Sequence, residues 1–288
     1  MTETRNSQII LLAGPRLNCY DSVQNKTFFE GPDAMIIATF NANSIRTRLD
    51  IILHWLKNQN PDILCVQETK VQDHEFPIDA FMDAGYHVVF RGQKSYNGVA
   101  TISRLPITDS AVAVDQIDAE ARFLQTTVGG IIVVNTYVPQ GVDRESERFQ
   151  YKLRWLAALE EYFKSTCTPQ TPLVWLGDLN AALDERDVYD PAGLWGHVCY
   201  CAEVQDAIRR IREWGFEDVF RLHNQDDKQY TFWDYRAMSF QRNKGWRLDH
   251  IMATPPLAQK CTRCWIDTAP RALSKASDHT FLVAEFKL

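Results

Sequence analysis

Across residues 35–288 the chain alternates short apolar runs with segments of helical period, and no linker or low-complexity stretch breaks the series. That alternation leaves few ways to bury every apolar face at once, because each strand and helix needs a packed layer against its dry side. Ile45, Leu49, Ile52, Leu53 and Leu56 recur at helical spacing, and Asn60-Pro61 closes that helix. Strands are predicted over residues 36–40, 62–67, 86–91, 98–103, 123–128, 131–138 and 172–176, with Gly129-Gly130 as a hairpin turn. Phe149, Leu153, Leu156, Leu159 and Phe163 mark a long helix. Val204, Ile208, Ile211 and Trp214 mark another, closed by Gly215. The remainder reads as strand-rich. The expectation is one α/β domain, a four-layer sandwich of two mixed sheets packed face to face and flanked by helices.

Residues 1–34 lack this periodicity and are rich in turn formers, among them Gly14-Pro15, Asn18, Asp21 and Pro32-Asp33. They read as a loosely ordered N-terminal extension. No apolar run approaches the roughly 18 residues of a membrane span, so a soluble intracellular protein is expected; it is also taken to be cytoplasmic and monomeric. The seven cysteines are odd in number and scattered from Cys19 to Cys264, which suits reduced thiols. Cys199 and Cys201 are too close for the usual zinc knuckle. Alternation around the second pair puts Cys261, Arg263 and Trp265 on one strand face and Thr262, Cys264 and Ile266 on the other. A formal charge of -6 argues against a broad basic surface. It is compatible with a carboxylate-rich metal site rimmed by a few Arg and Lys.

Six expected strand ends run into polar clusters: Asn41-Ala42-Asn43, Gln67-Glu68-Thr69-Lys70, Asn135-Thr136-Tyr137, Gly177-Asp178-Leu179-Asn180, Asp249-His250 and Asp278-His279. Any one of these reads equally as a turn or cap, since Asn and Asp favour local hydrogen bonds. Six in one chain point to loops gathered around a site on a rigid scaffold. Oxygen-only ligands such as Glu68 and Asp278 suit a hard cation, Mg²⁺ before Mn²⁺. His279, oriented by Asp249, could donate to a phosphoryl oxygen, while Asp178 polarises a water that Asn180 directs. That kit serves phosphodiester hydrolysis.

The strings TFNANSIRTR, PDILCVQETK, YNGVA, NTYVPQG, WLGDLN, YTFWDYR, GWRLDHI and SDH occur in an order that resembles the exonuclease III/AP-endonuclease family, within the endonuclease/exonuclease/phosphatase superfamily. The resemblance covers residues 35–288 and implies a deoxyribonuclease I-like fold. It also implies a Mg²⁺-dependent repair enzyme that cuts double-stranded DNA 5′ to abasic sites and trims 3′ ends. Glu68 resembles the principal metal ligand, with Asn41 nearby and Asp278 sharing the metal or its water. Asp178, Asn180, Tyr137, His279 and Asp249 match catalytic positions. Phe232, Trp246 and Leu248 match a small apolar pocket for a sugar without a base, and Arg236 matches a residue inserted into the duplex. Tyr96, Arg122 and Lys70 are expected on backbone phosphates. Trp233 reads as core.

Three features depart from the family pattern: Thr280 after His279, a shorter and less charged segment at residues 184–198, and His250 where relatives carry an aromatic or apolar residue. The alternatives are another phosphodiesterase of the superfamily or a non-catalytic nucleic-acid-binding regulator, which intact site residues disfavour.

Overall fold

A computed structural model describes residues 34–111 and 120–288; apart from Ala34, the expected N-terminal extension lies outside the described residues. Its strands are β1 (Ala34–Asn41), β2 (Ile63–Gln67), β3 (His87–Arg91), β4 (Val99–Ser103), β5 (Ile107–Ala111) and β6 (Phe123–Val128). They continue with β7 (Ile131–Tyr137), β8 (Leu173–Asp178), β9 (Glu217–Asp218), β10 (Asp249–Ala253), β11 (Cys261–Asp267) and β12 (Phe281–Lys287). Two six-stranded mixed sheets result, ordered β11-β12-β1-β2-β4-β3 and β5-β6-β7-β8-β10-β9.

Side chains alternate across each strand, and both faces of the central strands are dry. Met35 and Ile37 of β1 join Ile63, Val133, Val174, Leu176 and Ile251 in a core between the sheets. Ala38 and Phe40 point the other way, where the helix Ile45–Gln59 covers the first sheet. There Phe281 stacks on both Phe40 and Trp55, with ring centroids 4.0 Å apart in each pair. The helices Glu147–Thr166 and Ala202–Gly215 cover the second sheet through Leu159, Phe163, Ile208 and Ile211. The four expected layers are all present.

Strand direction positions the site. β1 runs parallel to β2, with Asn41 opposite Gln67, and β7 runs parallel to β8, with Tyr137 opposite Asp178. β10 is antiparallel to β8, so its first residue, Asp249, pairs with Asp178. β12 is antiparallel to β1 and starts just after His279. Four strands therefore end along one edge of the sandwich and two begin there. Asp249-His250 and Asp278-His279, expected at strand ends, instead open β10 and precede β12, because those strands run antiparallel to β8 and β1. Gly177 permits the close approach there: at φ 135°, a Cβ on it would lie 2.0 Å from the Thr136 carbonyl oxygen.

Three sequence expectations change. The β11–β12 register shifts between Cys261 and Arg263, and this bulge turns both Cys261 and Cys264 into the inter-sheet core instead of onto opposite faces. All six described cysteines are buried free thiols. Residues 224–248 form mostly loop with isolated pairings, not regular strand, in keeping with Asp226-Asp227, Asn243 and Gly245. β5 went unpredicted because its sequence, ITDSA, has almost no apolar pattern.

Behind the site edge, Arg247 is fully buried. Its guanidinium donates to Asp187 at 2.8 and 3.0 Å and to Asp218 at 2.8 Å, fastening the Trp246–Leu248 stretch to the loop at 184–188. Removing one partner of such a cluster leaves uncompensated buried charge. Arg247→Met is expected to cost about 3–5 kcal/mol in chemical denaturation, and a loss below about 1 kcal/mol would contradict this role.

Candidate active site

The turn after β2 builds the acidic half of the site. Glu68 and Lys70 both take left-handed backbone, φ 52° and 54°, a conformation that costs non-glycine residues about 1–3 kcal/mol each. Ladder-like bonds hold it in place: Ser44 N–H donates to the Glu68 carbonyl at 2.8 Å and Lys70 N–H to that of Asn97 at 2.9 Å. Glu68 then accepts from the Asn41 amide at 2.8 Å and pairs with the Lys70 ammonium at 2.6 Å. Burial raises its pKa, but the Lys70 charge and hydrogen bond outweigh that, leaving Glu68 below its ordinary value. Lys70 also donates to Asn43, whose amide reaches Asp278 at 3.0 Å. Glu68 and Asp278 are thus joined through Lys70 and Asn43.

The Asn41 amide uses its second N–H to donate to Asp178 at 2.8 Å, linking Glu68 to the group formed by Asp178, His279 and Asp249. Asp178 accepts a second bond from the Asn180 backbone at 2.8 Å. Its other neighbour is His279, whose Nε2 lies 3.7 Å away, while His279 Nδ1 meets Asp249 at 2.7 Å. Two Thr231 bonds, accepted from the Leu248 and Asp249 backbones at 3.1 Å, set the start of β10. Burial and the Asp249 charge push the Asp178 carboxyl up to about 7, against the pull of His279. For His279, burial works against the charge, but Asp249 and Asp178 win and its pKa rises. Tyr137 is raised well above its ordinary value by burial and by Glu68 and Asp178, so its phenol stays protonated.

Two sets could in principle bracket a cation. Ligand atoms of Asp178, Asp249 and His279 lie within 4.8 Å of one another. A protonated His279 has no free lone pair, however, and its Nδ1 is committed to Asp249. Glu68, Asp278 and the Asn41 carboxamide offer hard oxygen donors in a place that already accommodates the positive Lys70. The donor chemistry favours this second set.

A cavity of about 560 Å³ opens from Glu68, Asp178, Asn180, Asp278 and His279 toward Phe232, Trp246 and Leu248. Phe232 and Trp246 exchange backbone bonds of 2.9 Å, and the Phe232 ring lies 4.9 Å from that of His279. The three expected apolar residues thus adjoin the polar cluster directly. His197 and Cys199, not foreseen from sequence, complete the wall, with His197 against Trp246 at 4.9 Å.

The outer residues divide. Tyr96 is 70% exposed, and Arg236 stands on the rim in contact with Asp234. Arg122 is less accessible: it pairs with Glu120 and lies 4.7 Å over the Tyr137 ring. Lys70 sits within the acidic cluster. His250 is fully buried, 2.8 Å from the Ala181 carbonyl, which removes it from any DNA surface. Trp233 is core, as expected, and Thr280 is buried, its hydroxyl donating to the Asp267 carbonyl. Gln67 and Asn135 belong to the structure beneath the site, joined across the sheets at 2.7 Å. Asn43, inside the first polar cluster, and Ser277, just before the last, were not singled out; Ser277 donates to the Asn41 carbonyl at 2.7 Å.

The fold and this edge define a phosphoesterase of the endonuclease/exonuclease/phosphatase class. Residues 38–279 match the model of the Endonuclease/Exonuclease/phosphatase family. An exodeoxyribonuclease III from Haemophilus influenzae is 32% identical, over 88% of this chain and 100% of its own. The structure of an AP endonuclease from Archaeoglobus fulgidus superposes with a TM-score of 0.86 at 46% identity, over 88% and 100% of the two chains. A 3′ phosphatase from Neisseria bound to product DNA hairpin gives the same TM-score and coverage at 35% identity. The chain belongs to the endonuclease/exonuclease/phosphatase family, in its exonuclease III/AP-endonuclease branch.

Because Asp249 and Asp178 hold the His279 proton, that ring is expected to remain charged well above the usual histidine range. Histidine ¹⁵N titration of the parent and of Asp249→Asn checks this. The variant should lose its proton at lower pH than the parent; identical titrations, or a parent ring titrating near 6.5, would contradict it.

Proposed function

We propose that this chain is a Mg²⁺-dependent DNA-repair nuclease that hydrolyses the phosphodiester 5′ to an abasic site and also processes 3′ ends. The carrying observation is the direct contact between the charged cluster and an apolar slot, made where Phe232 touches His279. A slot this close to the reacting groups favours a sugar without a base, which also costs least to flip from the duplex.

In this reading Glu68 and Asp278, with Asn41 beside them, hold the metal, which when bound neutralises charge on the phosphoryl oxygens. His279 donates its Nε2 proton to a non-bridging phosphoryl oxygen, and Asp249 keeps the ring oriented and charged. Asp178 accepts the proton of the attacking water. Its raised pKa places it near the operating pH of a general base, and the Asn180 and Asn41 donors fix its two oxygens. Tyr137, kept protonated, faces the leaving group. Phe232, Trp246 and Leu248 receive the deoxyribose. Arg236 and Tyr96 project from the rim toward the duplex, and Arg122 lies over the Tyr137 ring.

Every group comes from one chain, which suits action as a monomer on chromosomal DNA in the cytoplasm. Among the described residues, no helix is long and apolar enough to cross a membrane. The relatives' own activities, an exodeoxyribonuclease, an AP endonuclease and a 3′ phosphatase, support both the endonuclease and the end-processing parts of the proposal.

One gel comparing an abasic duplex, an intact duplex and a 3′-phosphate end tests the reading. With Mg²⁺ the abasic strand should be nicked, and EDTA should abolish this. Asp178→Asn should lower turnover by about 10²–10⁴-fold, and Phe232→Ala should impair abasic cleavage more than 3′-phosphate release. Unchanged turnover in Asp178→Asn rejects the mechanism; no nicking by the parent rejects the function.

A further inference from the structure

Lys152 lies in the middle of the apolar face of the helix Glu147–Thr166, between Phe149 and Leu156, with no exposed surface. Its Nζ donates to three backbone carbonyls: Gln140 at 3.1 Å, Asn180 at 2.7 Å and Val198 at 2.8 Å. A neutral amine carries only two N–H bonds, so three acceptors require the ammonium form. Burial pulls its pKa downward, and the three carbonyls offset that cost. Gly141, at φ 112°, lets the chain fold closely over this point: a Cβ there would lie 3.6 Å from Lys152 Cδ and 3.2 Å from the Phe149 ring.

Each carbonyl belongs to a different part of the site. Gln140 follows Tyr137 by three residues and lines the cavity. Asn180 supplies the backbone N–H that holds Asp178, and its side chain donates to the Val138 carbonyl at 2.9 Å. Val198 sits between His197 and Cys199, which wall the apolar slot. One buried charge therefore fixes the water-activating loop, the tyrosine loop and the pocket wall relative to each other.

We propose that Lys152 is a positioning residue for the reaction, setting Asp178 and Asn180 in register with the sugar slot. The inference rests on the reading of Asp178 as the group that activates water. Lys152 touches no substrate, and its effect passes through the three loops.

The test compares the parent with Lys152→Met, Lys152→Arg and Lys152→Gln, with Lys164→Met, on the exposed face of the same helix, as control. Circular dichroism and thermal melting establish folding. Then kcat and KM are measured on an abasic duplex, and turnover on bis(p-nitrophenyl) phosphate with Mg²⁺. A misplacement of about 1 Å can cost roughly 10²-fold, so folded Lys152→Met should lose about that in kcat on both substrates, with KM changed much less. Lys152→Arg, which keeps charge and donors, should recover at least about tenfold of the loss. Folded Lys152→Met within about threefold of the parent on both substrates overturns the proposal. Should Lys152→Met fail to fold, the Arg and Gln variants decide, and equal kcat in those two overturns it. Parent protein that hydrolyses the small diester but spares abasic DNA would sink the functional reading while leaving this one standing.

Discussion

Two carboxylates, Asp178 and Asp249, lie on either side of one imidazole in a place water barely reaches. Buried charge needs a counter-charge, and His279 holds its proton against burial because both carboxylates lie beside it. The interaction is mutual, so the site exists only if three residues far apart in sequence arrive together. Strand direction does this. Pairing of Asp249 with Asp178 across β10 and β8 fixes one half, and the antiparallel fit of β12 on β1 brings His279 to the same edge.

The same constraint explains how the two halves communicate. The Asn41 amide donates to Glu68 and to Asp178, so the two carboxylates share one donor residue. On the far side, Phe232 is tied by backbone bonds to Trp246 and lies against His279. The apolar slot and the His279 group are therefore features of one packed unit. The strained turn at Glu68 and Lys70 belongs to that unit too, held by bonds from Ser44 and to Asn97.

Much of this was legible in the sequence because apolar runs that stop on Asn, Asp or Glu are visible without coordinates, although Asp249 and His279 lie where strands begin. The two sheets and covering helices followed from period alone. What escaped did so for physical reasons. Gln67 and Asn135 sit in the same polar strand ends as the site residues, yet they satisfy each other between the sheets. Lys152 looks like a solvated helix residue until its three acceptors are seen. A single inserted residue at Thr262 defeated the alternation of β11 and brought Cys261 and Cys264 to one side. Local pattern carries no record of such long-range partners. The residues of the site were readable as types; their roles toward DNA stay tied to the proposal.

On the proposed function, the cation belongs beside Glu68, the phosphate beside His279 and the abasic sugar against Phe232. A crystal of the Asp178→Asn protein with Mn²⁺ and an abasic duplex, examined by anomalous scattering, tests it most directly. The expected result is a peak beside Glu68 and Asp278, with the scissile phosphate next to His279 Nε2 and the bare sugar against Phe232 and Trp246. A peak on the Asp249–His279 pair, or a sugar outside the apolar slot, would contradict it.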